Sequence, residues 1–123
     1  MHNSQQHSTR RRAAGWRRIL PALAAGLCAA AAAGAAHAAD AEAAGRALFT
    51  KGATPACAVC HTLADAGAAG TIGPDLDELK PDAKRVALAV RNGIGVMPAF
   101  EALSDADVQV LADYVAAATG AAQ

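Results

Sequence analysis

The stretch Cys57-Ala58-Val59-Cys60-His61 constrains this chain more than any other, because it sets two thiols and an imidazole at offsets of three and one residues. On a turn of helix those offsets bring all three groups to one face, where neighbours at i, i+3 and i+4 meet. Such a face suits a flat cofactor. The sulfurs can form thioethers to the vinyl carbons of a porphyrin, and the adjacent imidazole can reach the iron at its centre. Cys-x-x-Cys-His is the signature of covalent c-type haem attachment. Other chemistries fit less well. A redox-active Cys-x-x-Cys pair belongs at a strand-to-helix junction in a βαβ pattern, and no such pattern is visible. A structural zinc site needs four ligands, yet His2, His7 and His37 all lie in a segment that reads as a leader. A plain disulfide would not explain His61.

The formal net charge of zero hides a segregation. Arg10, Arg11, Arg12, Arg17 and Arg18 precede the first acidic residue, Asp40; from there on eleven acidic residues face six basic ones, a balance of −5. The basic start is followed by the uncharged run Ile19 to Ala36 and by Ala36-His37-Ala38, the pattern of a secretory signal with a small-residue cleavage site. Residues 1–38 are therefore expected to be a cleaved leader and residues 39–123 the mature domain, exported to the periplasm. The alternative is an uncleaved membrane anchor, since the run approaches spanning length; alanine and glycine are weakly hydrophobic, which favours the leader. Arg10-Arg11 hints weakly at a twin-arginine signal. Cys28 follows Leu27 rather than a small residue and reads as an apolar residue of the leader, not as a lipid-attachment site.

A mature chain of 85 residues with three aromatics, Phe49, Phe100 and Tyr114, forms one domain and has little material for a core, so it needs a staple. A haem supplies one. The mature chain reads as helices separated by glycine and proline loops. Asp40 is the expected N-cap of a first helix running to about Thr50, with Ala41, Ala44, Gly45, Leu48 and Phe49 on one stripe. Gly45 either lets another helix approach closely or is a tolerated glycine. Gly52 and Pro55 end that helix, and Asp65 to Gly73 lacks periodicity and reads as loop. Pro81 is expected to open a helix and Gly93 to close it, with Val86, Ala89 and Val90 on its apolar face and Lys84, Arg85 and Arg91 in solvent. In the last helix Ser104 and Asp107 make a variant capping box, Val108, Leu111, Ala112 and Val115 form the stripe, and Gly120 ends it.

Two residues away from the motif bear on the iron. A metal-bound histidine donates its other ring N–H to a fixed acceptor, and the Pro74 carbonyl is placed for that role unless Gly73-Pro74-Asp75-Leu76 is a plain turn. Met97 is the one methionine that remains after cleavage, and it sits on the loop Asn92 to Pro98 instead of on a helical stripe. A thioether is a soft neutral iron ligand, and a histidine/methionine pair raises the reduction potential. The expected axial pair is His61 and Met97, with an open-sited haem as the alternative. With both positions filled the iron can do little but accept and release one electron.

Taken together, Cys57 to His61, Gly73-Pro74-x-Leu76, Asn92-Gly93, Met97-Pro98 and Leu111-x-x-Tyr114-Val115 resemble, in order, the class I c-type cytochromes. The resemblance covers essentially the whole mature chain. It implies an all-α fold in which the N- and C-terminal helices cross around one covalently bound haem. Gly45 and Phe49 match the first-helix side of that crossing and Tyr114 the last-helix side. Pro74 matches the proline whose carbonyl holds the proximal histidine, and Met97 the distal ligand. The stretches Thr62 to Ala68, Ile72 to Asp82 and Val90 to Phe100 further resemble the cytochrome partners or subunits of bacterial sulfite dehydrogenases. That family takes electrons from a molybdenum-cofactor subunit and passes them to a larger carrier or a terminal oxidase. The implied role is electron transfer, not catalysis. The alternatives are a general cytochrome serving a terminal oxidase or another dehydrogenase, and an open-site haem sensor or enzyme.

The acidic balance adds that positively charged partner surfaces should steer docking. The contact itself is expected to be apolar, near Ala56, Val59, Ile94 and Val96, unless these side chains only cover the haem. A basic nucleic-acid patch is absent from the sequence.

Overall fold

A computed structural model of the chain describes residues 37–121. The leader expected over residues 1–38 lies, apart from its last two residues, outside the described residues. Helix α1 is described over residues 37–47 and widens into a π-helical turn, Leu48–Gly52. The short helix α2 (Cys57–Cys60) carries the cysteines. Two-residue strands β1 (Thr62–Leu63) and β2 (Ala68–Ala69) pair antiparallel, Thr62 opposite Ala69. Helices α3 (Leu76–Leu79), α4 (Ala83–Asn92) and α5 (Asp105–Ala118) follow. The fold is mostly helical, with this small hairpin as its strand component.

Helices α3, α4 and α5 each start where a short polar side chain satisfies an otherwise orphaned N–H. The Asp75 carboxylate accepts from the backbones of Asp77 and Glu78. Asp82, rather than Pro81, caps α4 through the Arg85 N–H at 2.7 Å, so the proline stands just outside the helix. Ser104 and Asp107 form the complete reciprocal box at the start of α5. The first helix departs from expectation at its start: residues 37–39 are already helical, so Asp40 lies within the helix and is not its cap.

The core lies between α4 and α5 and is closed by the π turn. Ala87 and Val90 of α4 meet Val108, Leu111, Ala112 and Val115 of α5, with Phe49, Leu63 and Leu76 completing the cluster. Side chains such as Phe49 and Leu111 are fully buried, each contributing about 1.5–3 kcal/mol relative to exposure. The first and last helices meet at Gly45, where a Cβ would stand 2.2 Å from the Tyr114 Cβ. No side chain fits in that gap, so the approach requires the glycine. One turn on, the Phe49 and Tyr114 rings pack edge to face with centroids 6.4 Å apart.

A polar knot sits over that meeting point. The Asp65 carboxylate accepts from the Tyr114 hydroxyl at 2.5 Å and from Arg46 Nη2 at 2.8 and 2.9 Å. It thereby ties α1, the β1–β2 turn and α5 together. Burial, and next the hydrogen bond to Asp65, push the Tyr114 phenol up from its ordinary value of 10.0 to about 12, while Arg46 acts in the opposite direction. The folded chain therefore keeps a proton that the unfolded chain releases near pH 10. Stability is full below that pH and falls as the pH rises toward about 12. Chemical denaturation across this window should show the decline, and Tyr114→Phe should remove its tyrosine-dependent part.

Candidate functional site

A cavity of about 330 Å³ opens between α2, α3, α4 and the loop that precedes α5. Cys57, Cys60, His61, Pro74 and Met97 all line it, so the structure brings every site residue expected from sequence to one place. The rest of the wall is apolar apart from Arg85, and includes Phe49, Leu76, Val86, Val90, Phe100 and Leu111.

Cys57 and Cys60 lie one turn apart on α2, both half-buried. Burial pushes the Cys57 thiol up. That is opposite to the lowered thiolate a redox-active pair uses. His61 leaves the helix in extended conformation, its N–H bonded back to the Cys57 carbonyl at 3.0 Å.

The imidazole is held from behind. Its Nδ1 lies 2.9 Å from the Pro74 carbonyl oxygen. A carbonyl only accepts, so Nδ1 carries the proton and Nε2 keeps its lone pair free for a metal. Gly73 makes this possible: a Cβ there would stand 2.4 Å from His61 Cε1 and 2.7 Å from Nδ1. The Gly73 N–H bonds the Cys60 carbonyl at 2.8 Å, which holds the segment against the motif. The Asp77 carboxylate accepts from the Ala64 N–H at 2.7 Å and fastens the start of α3 to the hairpin.

Met97 is presented from the opposite chain segment by a two-residue turn. Ile94 and Met97 exchange both backbone bonds, at 3.1 and 2.9 Å. Gly95 takes φ +58° at the first central position, the pattern of a type II′ hairpin turn. The Phe100 N–H then bonds the Val90 carbonyl at 2.9 Å and pins the loop to α4. The His61 ring is thus held by a backbone carbonyl, and the backbone that carries Met97 is set by main-chain hydrogen bonds.

Some participants were not anticipated. Asp65 gave no signal within a Gly- and Ala-rich loop, because its partners Arg46 and Tyr114 are 19 and 49 residues away. Arg85, expected only in solvent, is exposed yet also lines the cavity. Arg91 pairs with Asp105 at 2.9 Å.

An apolar cavity walled by a Cys-x-x-Cys turn, a histidine with its outer nitrogen free and a thioether fits a covalently held haem. Fold and site together define a c-type cytochrome. The family described as cytochrome c oxidase, cbb3-type, subunit III matches residues 40–115, and the chain belongs to this family of cytochromes. It is 34% identical over 64 residues to cytochrome c-551 of Halorhodospira halochloris, spanning 51% of this chain and 81% of that protein. The crystal structure of the c-type cytochrome SorU from Sinorhizobium meliloti superposes with a TM-score of 0.64 at 56% identity, covering 66% of this chain and 93% of that one. The chain thus carries haem c, with Cys57, Cys60 and His61 as its attachment motif, and transfers electrons. Among the described residues no helix is long and apolar enough to cross a membrane.

The contact at Gly73 yields a test. Gly73→Ala should displace the His61 ring, lower stability by roughly 1–3 kcal/mol, and alter the visible spectrum of the haem-loaded protein. Thermal unfolding and absorbance on the same sample measure both.

Proposed function

We propose that this chain is an exported, periplasmic one-electron carrier whose haem iron is held between His61 and Met97, and that its donor is a molybdenum sulfite dehydrogenase. The observation that carries the axial pair is the convergence of both side chains on one apolar cavity, the His61 ring bonded to a backbone carbonyl and the Met97 backbone bonded to Ile94. Bound haem supplies a one-electron iron couple, at a potential that a thioether ligand raises. The chain's own part is to hold the imidazole in the tautomer that offers Nε2, to present the sulfur, and to exclude water with an apolar wall. The leader pattern of residues 1–38 supports export.

The donor rests on the resemblance of residues 62–68, 72–82 and 90–100 to the cytochrome partners of sulfite dehydrogenases. For the acceptor, a larger cytochrome or a terminal oxidase, the family description offers support, since it names an oxidase subunit. Val59, Ile94 and Val96 are 60%, 65% and 90% exposed, an apolar contact surface beside the cavity. With the acidic balance of the mature chain, this favours partners whose charged rim is basic.

Two measurements test the proposal. The reduced holoprotein should be low-spin and indifferent to carbon monoxide, whereas Met97→Ala should bind it and show a lowered potential; a wild-type spectrum that changes under carbon monoxide would remove Met97 from the iron. Purified sulfite dehydrogenase should reduce the holoprotein rapidly, with a rate that falls roughly tenfold between low and high salt. Slow reduction at every ionic strength would point to a different donor.

A further inference from the structure

We infer that Gly93 is a positioning residue for Met97, the residue that keeps the sulfur side of the iron closed. The inference rests on Met97 as an iron ligand and adds what holds it there. Gly93 follows the last residue of α4, and its N–H closes that helix on the Ala89 carbonyl at 2.8 Å. Its backbone sits at φ +71° and ψ 165°, a region that residues with a side chain essentially do not enter. The space is closed as well. A Cβ there would stand 2.6 Å from the Met97 carbonyl oxygen, 3.0 Å from the Ala99 nitrogen and 3.1 Å from the Pro98 carbonyl carbon. All three are main-chain atoms, so no side chain can swing aside to make room.

The segment that returns past Gly93 is pinned at both ends. The Met97 carbonyl accepts from the Ile94 N–H at 3.1 Å, and the Phe100 N–H donates to the Val90 carbonyl at 2.9 Å. A side chain at position 93 has to push against this segment, and the displacement then falls on the backbone of Met97 or breaks one of those two bonds. Either way the thioether that lines the haem cavity moves. A ligand set keeps its geometry only within about 0.5 Å, so a small displacement suffices to open the iron. Gly120 offers the contrast. It stands just past α5 at φ +73°, yet a Cβ there would meet nothing within 4 Å.

The test compares the holoproteins of wild type, Gly93→Ala, Ile94→Pro and Gly120→Ala. Three readouts are taken: the long-wavelength absorption that a thioether ligand gives oxidised haem iron, carbon monoxide binding by the reduced form, and thermal unfolding. Wild type should show the band and ignore carbon monoxide. Gly93→Ala should lose most of the band and bind carbon monoxide well below its unfolding temperature. Gly120→Ala imposes backbone strain without the contact, so it should unfold at a lower temperature and still keep the band. Ile94→Pro leaves Gly93 in place and releases the Met97 carbonyl by deleting the N–H that holds it. It should open the iron in the same direction, and it carries the test if Gly93→Ala does not fold. Retention of the full band by Gly93→Ala, or by Ile94→Pro where it stands in, would overturn the proposal. Equal opening by Gly120→Ala, the mark of general loosening, would do the same. A wild type that lacks the band or binds carbon monoxide would instead remove Met97 from the iron and take the inference with it, so the wild-type sample alone tells the two failures apart.

Discussion

The hydrogen bond between His61 and the Pro74 carbonyl is the constraint around which the rest of this structure is arranged. A histidine beside two cysteines on a short turn could rotate about two side-chain bonds and protonate on either nitrogen. The carbonyl allows one tautomer and one ring direction. That carbonyl must in turn stay still. Gly73 lets the backbone pass against the ring, its N–H grips Cys60, and Asp77 fastens the following helix to the hairpin. Each is a local interaction, and together they convert a flexible side chain into a fixed lone pair.

A small helical chain also needs its ends joined. Here the junction combines a steric and a polar element at one place: Gly45 admits the Tyr114 side chain, and Asp65 receives the hydroxyl of that same tyrosine. The ion pair with Arg46 is half-exposed, and pairs of this kind contribute little by themselves. Its value is geometric. It brings the loop that follows the haem motif under the control of the two terminal helices, so the cofactor turn and the helix junction are held by one carboxylate.

Much of this was legible in the sequence. The motif, the loop methionine and the capping box are local patterns whose meaning depends on spacing of a few residues, and the helices α4 and α5 followed from periodicity and end signals. Gly45 was readable as a close approach because a glycine in the middle of an apolar stripe costs helix stability without return unless something packs there. What could not be read depended on distant partners. Asp65 meets Arg46 and Tyr114 across 19 and 49 residues, and no local pattern announces such a meeting. The two-residue strands were missed because strands this short have no period. Arg85 was assigned to solvent by its position on the polar face of α4, and a helical wheel cannot show that one edge of that face borders a cavity.

The turn that presents Met97 separates two properties usually bound together. Its geometry is set by main-chain bonds between Ile94 and Met97 and by the backbone freedom of Gly95, while the side chain of Val96 stands almost wholly outside. Exchange of Val96 for another residue redraws the outer face seen by a neighbouring molecule and leaves those main-chain bonds in place. Affinity for one redox neighbour or another can therefore drift over generations without disturbing the sulfur one residue away.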